Sequence, residues 1–498
     1  ARLRSMSETL ALLVALPVLT ALVPVVLGRI WQRAGWTVAF VGTVLHLALV
    51  VQLARAIRVE GTVSYAVGNF APPIGIELVG DWISATLVGL VSIITLIVLI
   101  FERDRNDSSD AFYSELLLLT AGLSGIFVTG DLFNLYVFLE ITGLATYALV
   151  ATNPSPRAAV ASLKYLLVGT IGASLYLLGV GYLYISTGTL NMADLSQQLA
   201  EVGYTSPLIL TGFVLIMIGL GVKTALFPLH TWQPDAYTES SDSVTVHIAA
   251  LVSTAAAYAI FRVTFAVFTP SFASAVPVAL DALTIAALLS IILGSVFAIM
   301  QTNLKRMLAY SSVSQFGLVI VGVSVINETA LVGSLVHLVG HAVMKAGLFI
   351  AIGGLSIVAG GYELEDMRGI AQRAPILSAG FAVLAFALVG VPPAVGFVGK
   401  WNIVLGAINS GDWIVAVVVV TSTLLTLAYF ARVIERMYFN SPINIDQTAA
   451  TDGGQARPSV PFQTRALVSI LAFASVSFGL VAIQFIAAIT PIVGGYLT

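Results

Sequence analysis

The chain has 498 residues, of which 58 % are hydrophobic and only 9 % are charged, and its formal net charge at pH 7 is −3. Soluble domains carry about 25 % charged residues, so this composition indicates a protein that lies in the bilayer over its whole length and leaves no room for a soluble domain. The charge gives no reason to expect a nucleic-acid partner, and the lack of cysteine excludes disulfides, thiolate metal sites and iron–sulfur clusters.

Apolar windows of about 20 residues predict fourteen transmembrane helices. We place them at 8–28, 34–55, 81–101, 112–130, 131–151, 162–187, 206–227, 244–266, 277–301, 307–325, 330–357, 376–408, 413–437 and 465–492. The first could be mistaken for a signal peptide, but its apolar run is long and no clear cleavage site follows, so we predict a retained helix. The longest connection, 438–464, is predicted to be a solvated loop. The chain is therefore expected to be an all-α polytopic membrane protein with one transmembrane domain, 1–498.

The distribution of basic residues predicts the orientation. Fourteen lysines and arginines fall in the loops after odd-numbered predicted helices, and three lysines fall inside spans. The opposite side carries five, namely Arg2, Arg4, Arg55, Arg58 and Arg262. Because cytoplasmic loops are enriched in basic residues, both termini are predicted to lie on the non-cytoplasmic side.

Two predicted helices contain residues that break helices. Pro228 follows Lys223 at the end of predicted helix 7, and Pro392 and Pro393 precede Lys400 inside predicted helix 12. Proline removes a backbone donor and clashes with the preceding turn. Broken helices in corresponding places of two halves are typical of inverted-repeat transporters. We therefore predict two inverted five-helix repeats, with helices 4–8 at 112–266 and helices 9–13 at 277–437.

Glu140 is a single carboxylate in a long apolar run, where a charge costs roughly 2.5–3.5 kcal/mol on insertion scales. Lys223 lies in the same predicted repeat, so the two are expected to form an ion pair. Their attraction favours the charged forms, whereas burial favours the neutral forms, and that balance makes the pair switchable. The alternative is a static salt bridge between two helices. Glu140 is the only clear acid within the predicted spans, which makes passage of Na+ through this chain alone doubtful.

His337, His341 and Lys345 are spaced four residues apart, which places them on one face of predicted helix 11. Imidazole both accepts and donates protons near neutral pH, so this stripe is predicted to be a proton relay. A zinc site and hydrogen-bonded packing are the alternatives, although no further zinc ligand is evident. His247, at the start of predicted helix 8, is expected to bridge Lys223 to the stripe unless it is structural.

Lys400 follows the second break and is predicted to be the terminal proton site of the second repeat. The alternative is a lysine that extends its amine to the membrane interface. Ser311 and Gln315 contribute to a polar face on predicted helix 10 that is available to waters or partner helices.

Several segments resemble one known family. These are 304–317 (LKRMLAYSSVSQFG), 223–237 (KTALFPLHTWQPDAY), 337–345 (HLVGHAVMK) and 390–400 (GVPPAVGFVGK). Together they resemble the antiporter-like membrane subunits of respiratory complex I and of the Mrp-type cation/proton antiporters. Within that family, 130–140 (GDLFNLYVFLE) and 187–194 (TGTLNMAD) are most similar to the D-type subunits of the multisubunit Na+/H+ antiporters. The chain differs from many relatives in having Thr254 where they place a lysine, and His247 is a candidate replacement.

The resemblance implies a secondary-transporter subunit that has no catalytic site of its own. Its functional residues would be the central polar axis of Glu140, Lys223, His247, His337, His341, Lys345 and Lys400. It implies H+ and Na+ as the transported ions, no cofactor or bound metal, and other membrane subunits as partners in a prokaryotic cell membrane. The alternative is a proton-pumping subunit of a complex I or membrane-bound hydrogenase type redox complex, which would make the chain part of a translocase.

Overall fold

The computed structural model describes residues 2–28, 34–103, 108–441 and 459–497. In chain order the helices and strands are α1 Arg2–Leu27, α2 Ala34–Glu60, β1 Val63–Ala66, β2 Glu77–Gly80, α3 Trp82–Glu102, α4 Asp110–Val128, α5 Leu132–Ala151, α6 Pro156–Thr187, α7 Met192–Val202, α8 Pro207–Thr224, α9 Gln233–Glu239, α10 Asp242–His247, α11 Ser253–Arg262, α12 Thr269–Ala275, α13 Pro277–Met300, α14 Leu304–Ser324, α15 Glu328–Ala359, α16 Ile370–Arg373, α17 Pro375–Val389, α18 Val395–Asn409, α19 Trp413–Phe439 and α20 Phe462–Leu497.

The membrane-spanning architecture is confirmed. Within the described residues, thirteen helical segments are long and apolar enough to cross a bilayer. The predicted twelfth helix is the remaining one, and it consists of α17 and α18, each 15 residues long. All fourteen predicted segments are therefore helical. Residues 442–458, most of the predicted solvated loop, lie outside the described residues.

Both predicted breaks are present and have related backbones. After α8, Ala225 is left-handed with φ 63°, and after α17, Gly390 is left-handed with φ 98°. A left-handed residue ends a helix, and for alanine that conformation costs roughly 1–2 kcal/mol because its Cβ approaches a carbonyl oxygen. The chain therefore stops two helices inside the transmembrane region and frees their last carbonyl oxygens. The inverted repeats and their boundaries, 112–266 and 277–437, stay predictions.

Two charged residues that were assigned to loops are buried. Arg262, counted among the five opposite-side residues, is in the last turn of α11 and only 6 % exposed, because it pairs with Asp81. Lys305, assigned to a connection, begins α14 and is 3 % exposed, because its Nζ is 3.3 Å from an oxygen of Asp242. A charge can be buried where an opposite charge compensates it, and the sequence did not reveal these partners.

Two short elements were not predicted. Strands β1 and β2 form an antiparallel hairpin in which Val63 pairs with Gly80. Helix α7 packs Met192, Leu195 and Leu199 inward and leaves its other face polar. Both were missed because they are too short for an apolar-window search. They lie at the same end of the bundle, where an isolated bridge also joins Asp131 to Asn191.

The eighth span is bent rather than a single regular helix. It runs over Asp242–Ala275 and contains π-helical turns at Ile248–Val252 and Val263–Phe268. Its most apolar window is completely buried. Such π turns occur frequently at functional sites because they leave backbone groups unpaired and redirect side chains. This span contacts α3, α4, α8, α14 and α15, so it lies at the centre of the bundle.

Candidate functional site: a line of buried charges

Glu140 and Lys223 form an ion pair between α5 and α8. The Nζ atom of Lys223 is 3.1 Å from Oε1 of Glu140 and 3.2 Å from the hydroxyl oxygen of Tyr147. The lysine side chain is 7 % exposed and the glutamate side chain 21 %. Lys223 is the next-to-last residue of α8, so the break in that helix lies directly beside the pair. The pairing expected from the sequence is therefore present.

Tyr147 is part of the site and was not identified from the sequence. Its ring packs edge-on against Tyr165 with centroids 4.6 Å apart, and Tyr165 stacks on Trp232 at 3.9 Å. The Trp232 indole N–H donates to the backbone oxygen of Val222 at 2.8 Å. This stack holds the phenol against the lysine. The available signal was the seven-residue separation from Glu140, which is two helical turns on one face.

We expect Gly169→Ala to displace Tyr147 and lower the thermal stability of the protein. An ideal Cβ at Gly169 of α6 would lie 2.0 Å from the hydroxyl oxygen of Tyr147, so the phenol must move away from Lys223. Overpacking of this kind typically costs about 1–3 kcal/mol. The matched control is Gly181→Ala in the same helix, where a Cβ meets nothing within 4 Å. Thermal unfolding of the two variants checks this expectation, and equal melting temperatures would refute the proposed support of Tyr147 by α6.

His247 ends α10 and is completely buried. Its Nε2 lies 3.0 Å from the hydroxyl of Thr95 on α3, which in turn lies 3.4 Å from the hydroxyl of Thr120 on α4. Its Nδ1 has no hydrogen-bond partner. In the part of the chain that the structure describes, no hydrogen bond joins His247 to Lys223 or to α15. The bridging role of His247 therefore stays a prediction.

The stripe on α15 is buried, and its partners come from α14. His337 Nε2 is 2.9 Å from Oε1 of Gln315. Lys345 donates to a backbone carbonyl of α14 at 2.6 Å and to the hydroxyl of Ser311. Both ring nitrogens of His341 are buried without a hydrogen-bond partner. The polar face of α14 is thus a partner for α15, one of the two uses expected from the sequence.

Lys400 lies beside the second break. Its Nζ donates to the carbonyl oxygens of Leu388 and Val389 at 2.9 and 3.0 Å. These are carbonyls at the end of α17, which a broken helix leaves without intrahelical partners. Lys400 is 4 % exposed, so its amine does not reach the membrane interface. A Cβ at Gly399 would lie 2.6 Å from the Cβ of His337, so α18 packs directly on the α15 stripe.

Glu140 is not the only acid in the spans, and that prediction is wrong. Glu102, at the end of α3, is 6 % exposed and accepts hydrogen bonds from Ser243 and from Ser108. Glu115 lies in α4 with a buried Oε2 that has no hydrogen-bond partner. Both are near predicted helix ends, where the windows could not separate span from loop. Among the described residues, no group of three or more His, Asp or Glu could hold a metal ion.

Asp235 joins three helices at one end of the bundle. It lies on α9 and pairs with Lys164 of α6 at 2.6 Å and with Arg306 of α14 at 2.8 Å. Burial alone raises the pKa of Asp235, but the hydrogen bonds and charges of the two basic residues outweigh burial and hold that pKa below its usual range. The carboxylate therefore stays charged and ties the region around the first break to α14.

Because the pKa of Asp235 is depressed by folding, its stabilisation is present above the unfolded pKa of about 4 and is lost as the pH falls through the folded value. The side chains are 27–39 % exposed, so each pair contributes only about 0.2–1 kcal/mol. We expect Asp235→Asn to lower the melting temperature at pH 7, by an amount that shrinks as the pH falls below about 4. Glu201→Gln, at an exposed position on α7, is the control and should not lower the melting temperature at either pH. A deficit of Asp235→Asn that is the same at pH 7 and at pH 3 would contradict this assignment.

Comparisons with known proteins place this geometry in a family. The model of the family described as "NADH:quinone oxidoreductase/Mrp antiporter, TM" matches residues 129–426, more than half of the chain. The N subunit of the NADH-quinone oxidoreductase of Desulforudis audaxviator is 43 % identical over 80 % of this chain and 81 % of its own length. The D-type subunit of the Na(+)/H(+) antiporter of Bacillus subtilis is 31 % identical over 76 % of this chain and 77 % of its own length.

Two solved structures have the same fold as this chain. A chain of the membrane-bound sulfane sulfur reductase, an archaeal respiratory membrane complex, superposes with a TM-score of 0.89 at 30 % identity, covering 99 % of this chain and 98 % of that chain. A chain of the Mrp complex from Dietzia sp. DQ12-45-1b also has a TM-score of 0.89, at 25 % identity, covering 99 % and 97 %. Both belong to membrane complexes, one respiratory and one of the Mrp type.

Proposed function

This chain belongs to the NADH:quinone oxidoreductase/Mrp antiporter transmembrane family, and on that premise we propose that it is the proton-translocating subunit of a multisubunit Na+/H+ antiporter. The observation that carries the proposal is the Glu140–Lys223 ion pair, buried beside a broken helix. Intramembrane ionisable groups are costly and are retained where they act on ions or protons. Lys345 and Lys400, both buried and bonded to neutral groups, continue this line of charges.

The Glu140–Lys223 pair acts as an electrostatic switch in this proposal. The two charges compensate each other while they are in contact, and their separation leaves an uncompensated buried charge that drives a proton toward the bent eighth span. Tyr147 stays hydrogen-bonded to the amine and gives it a neutral partner when the carboxylate moves.

Beyond the first pair, the line continues through the second half of the bundle. The α15 stripe contacts α14 on one side and α18 on the other, so His337 lies between Gln315 and the helix that carries Lys400. In this proposal water supplies hydrogen bonds to the two ring nitrogens of His341, because buried polar atoms rarely stay unpaired. Histidines linked through water carry protons between lysines that lack direct contact.

We place the chain in the cell membrane of a prokaryote with both termini on the non-cytoplasmic side. The excess of basic residues after odd-numbered helices supports this orientation. Leaving out the two buried residues, Arg262 on the opposite side and Lys305 among the fourteen, gives four residues against thirteen, so the bias still grows. The partners are other membrane subunits of a hetero-oligomeric antiporter, and the transported ions are H+ and Na+.

The second candidate is a proton-pumping subunit of a redox complex. It is favoured by the 43 % identity to the N subunit of an NADH-quinone oxidoreductase, which exceeds the identity to the antiporter relative. The two candidates use the same buried groups and differ in what drives them.

The deciding experiment purifies the assembled complex through this chain, identifies its subunits and reconstitutes it in vesicles. We expect an imposed pH gradient to collapse on addition of Na+ without an electron donor. Proton pumping that requires an electron donor, together with co-purified redox subunits, would support the second candidate. A complex that moves protons under neither condition contradicts both. Replacement of Na+ by K+ identifies the exchanged cation.

A further inference from the structure

A cavity of about 730 Å3 opens at the end of the bundle where α20 ends. Its walls come from α7, from the π turn after α11 and from the last residues of α20, and they mix polar and apolar groups. Glu77 and Ala266 line it, and Arg262 lies at its floor. The cavity is outside the line of charges described above, and no group in it was identified as functional from the sequence.

Arg262 and Tyr496 line the cavity, and behind them Asp81 and Tyr258 complete a buried cluster of one ion pair and two phenols. The guanidinium of Arg262 is 2.9 Å from Oδ2 of Asp81, and the two side chains are 7 % and 4 % exposed. Its Nε donates to the hydroxyl of Tyr258 at 2.6 Å, and Nη1 donates to the hydroxyl of Tyr496. The other carboxylate oxygen of Asp81 caps α3 by accepting from the Ser84 N–H at 2.8 Å. The guanidinium of Arg262, on α11, thus joins the start of α3 to the end of α20.

Behind this floor, polar side chains continue along the bent eighth span. Thr254, Tyr258 and Arg262 are four residues apart on one face of α11, and His247 ends α10, on the far side of the first π turn. Fifteen residues separate His247 from Arg262, a rise of about 22 Å, most of the hydrocarbon thickness. All four side chains are buried. They define a polar stripe, named here the α11 stripe.

Ser253, the residue before Thr254 and on a neighbouring face of α11, links this helix to the Lys223 region. The hydroxyl of Ser253 is 3.5 Å from the backbone oxygen of Lys223 and 3.1 Å from Nε2 of Gln233. Buried polar atoms without hydrogen-bond partners occur along the same route, at Oε1 of Gln233 and at Oγ1 of Thr264. Such atoms are normally satisfied by water in a polar site that is large enough to hold it.

We propose that this cavity is a water-filled port through which protons pass between the α11 stripe and the side of the membrane where α20 ends, with the Asp81–Arg262 pair as its plug. The inference rests on the proposed proton translocation and adds the location of an opening to it. The alternative is that the Asp81–Arg262 pair is purely structural, a static brace that joins the helices. A brace does not account for the cavity above the pair or for the polar side chains below it, and a buried ion pair is weak evidence of stabilisation.

The absence of cysteine makes the port testable by thiol accessibility in the assembled complex. Ala266→Cys puts a thiol on the cavity wall, four residues after Arg262, whereas Thr205→Cys puts one in an exposed position in the loop between α7 and α8. We expect a membrane-impermeant, positively charged methanethiosulfonate to react with both from the side where α20 ends. Modification should abolish exchange only at Ala266→Cys. The complex without these substitutions is the reagent control.

A second pair of variants tests the plug. Thr254→Cys lies behind Arg262 and should not react from the cavity side. It should react when combined with Asp81→Asn and Arg262→Gln, which remove both charges together and leave no lone buried charge, while asparagine still caps α3. The double variant without the thiol reports whether the protein still assembles, and Thr205→Cys in that background reports general loosening of the fold.

Four outcomes overturn the port. These are no reaction at Ala266→Cys, reaction only from the opposite side, modification that leaves exchange unchanged, and Thr254→Cys labelling that is the same with and without the charged pair. Glu140→Gln measured in the same vesicles separates this failure from failure of the proposed function. If Glu140→Gln abolishes exchange while the modified Ala266→Cys does not, only the port is wrong.

Discussion

Replacing Glu140 by Gln should abolish Na+-driven proton exchange while leaving the complex assembled. The substitution keeps the shape of the side chain and removes the negative charge that lies 3.1 Å from Nζ of Lys223. Loss of about 1.4 kcal/mol of transition-state stabilisation already lowers a rate tenfold, and a direct ion-pair partner is expected to contribute at least that much. The measurement is dequenching of a pH-sensitive dye in everted vesicles, with subunit content checked on the same membranes.

The structure provides a matched control for that variant. Glu201→Gln makes the same chemical change at an exposed residue of α7, outside the line of buried charges, and should leave exchange unchanged. The complex is expected to assemble with lowered stability, because Lys223 loses its opposite charge but keeps its hydrogen bond to Tyr147. Unchanged exchange in Glu140→Gln would refute the proposed role of the line of buried charges in proton translocation. Loss of the assembled complex would instead indicate that the Glu140–Lys223 pair is a static salt bridge.

Replacing Lys345 should have the second large effect, and two substitutions together identify its role. Lys345 is completely buried, and the hydrogen bonds resolved for it go to neutral groups, a backbone carbonyl and the hydroxyl of Ser311. Loss of a group that exchanges protons typically lowers rates by about 10²–10⁴-fold, so Lys345→Met should fall in that range. The Lys345→Met protein should stay as stable as the original, because no opposite charge is paired with Lys345 among the described residues and none is left uncompensated by its removal.

Lys345→Arg keeps the positive charge but not the ability to release a proton, because arginine stays protonated in proteins. If Lys345 passes on a proton, Lys345→Arg should be as inactive as Lys345→Met. If it only supplies a fixed positive charge, Lys345→Arg should recover most of the exchange. Recovery would therefore remove Lys345 from the proton path and leave it an electrostatic role. Both variants are compared at matched expression in the same vesicles.

Much of the site could be anticipated from the sequence because charge in an apolar segment is a strong signal. Lys345 and Lys400 lie in segments that otherwise contain almost no charge, and their burial follows from composition. The uncharged hydrogen-bond partners of these buried groups were harder to predict. Tyr147 and Gln315 are common residue types whose importance depends on what lies opposite, and that is decided by packing between helices distant in the chain.

Charged residues at helix ends show most clearly what hydropathy windows cannot predict. Arg262, Lys305 and Glu102 follow or precede apolar runs, where a window cannot tell a buried side chain from a solvated one. Each is buried because another segment supplies a partner, for example Asp81 for Arg262 across 181 positions of sequence. These pairings were missed, and with them the cavity that the Asp81–Arg262 pair closes.

By itself, the sequence determined the membrane class, the fourteen helical segments, the two breaks and the identity of the buried bases. These depend on local quantities, namely hydropathy over about 20 residues, proline and glycine positions, and the cost of charge in hydrocarbon. Only the tertiary structure decided which groups meet: Glu140 with Lys223, Lys345 with Ser311, and Asp81 with Arg262. Such contacts form between helices far apart in the chain, and their short-range energies depend on distances that no local pattern specifies.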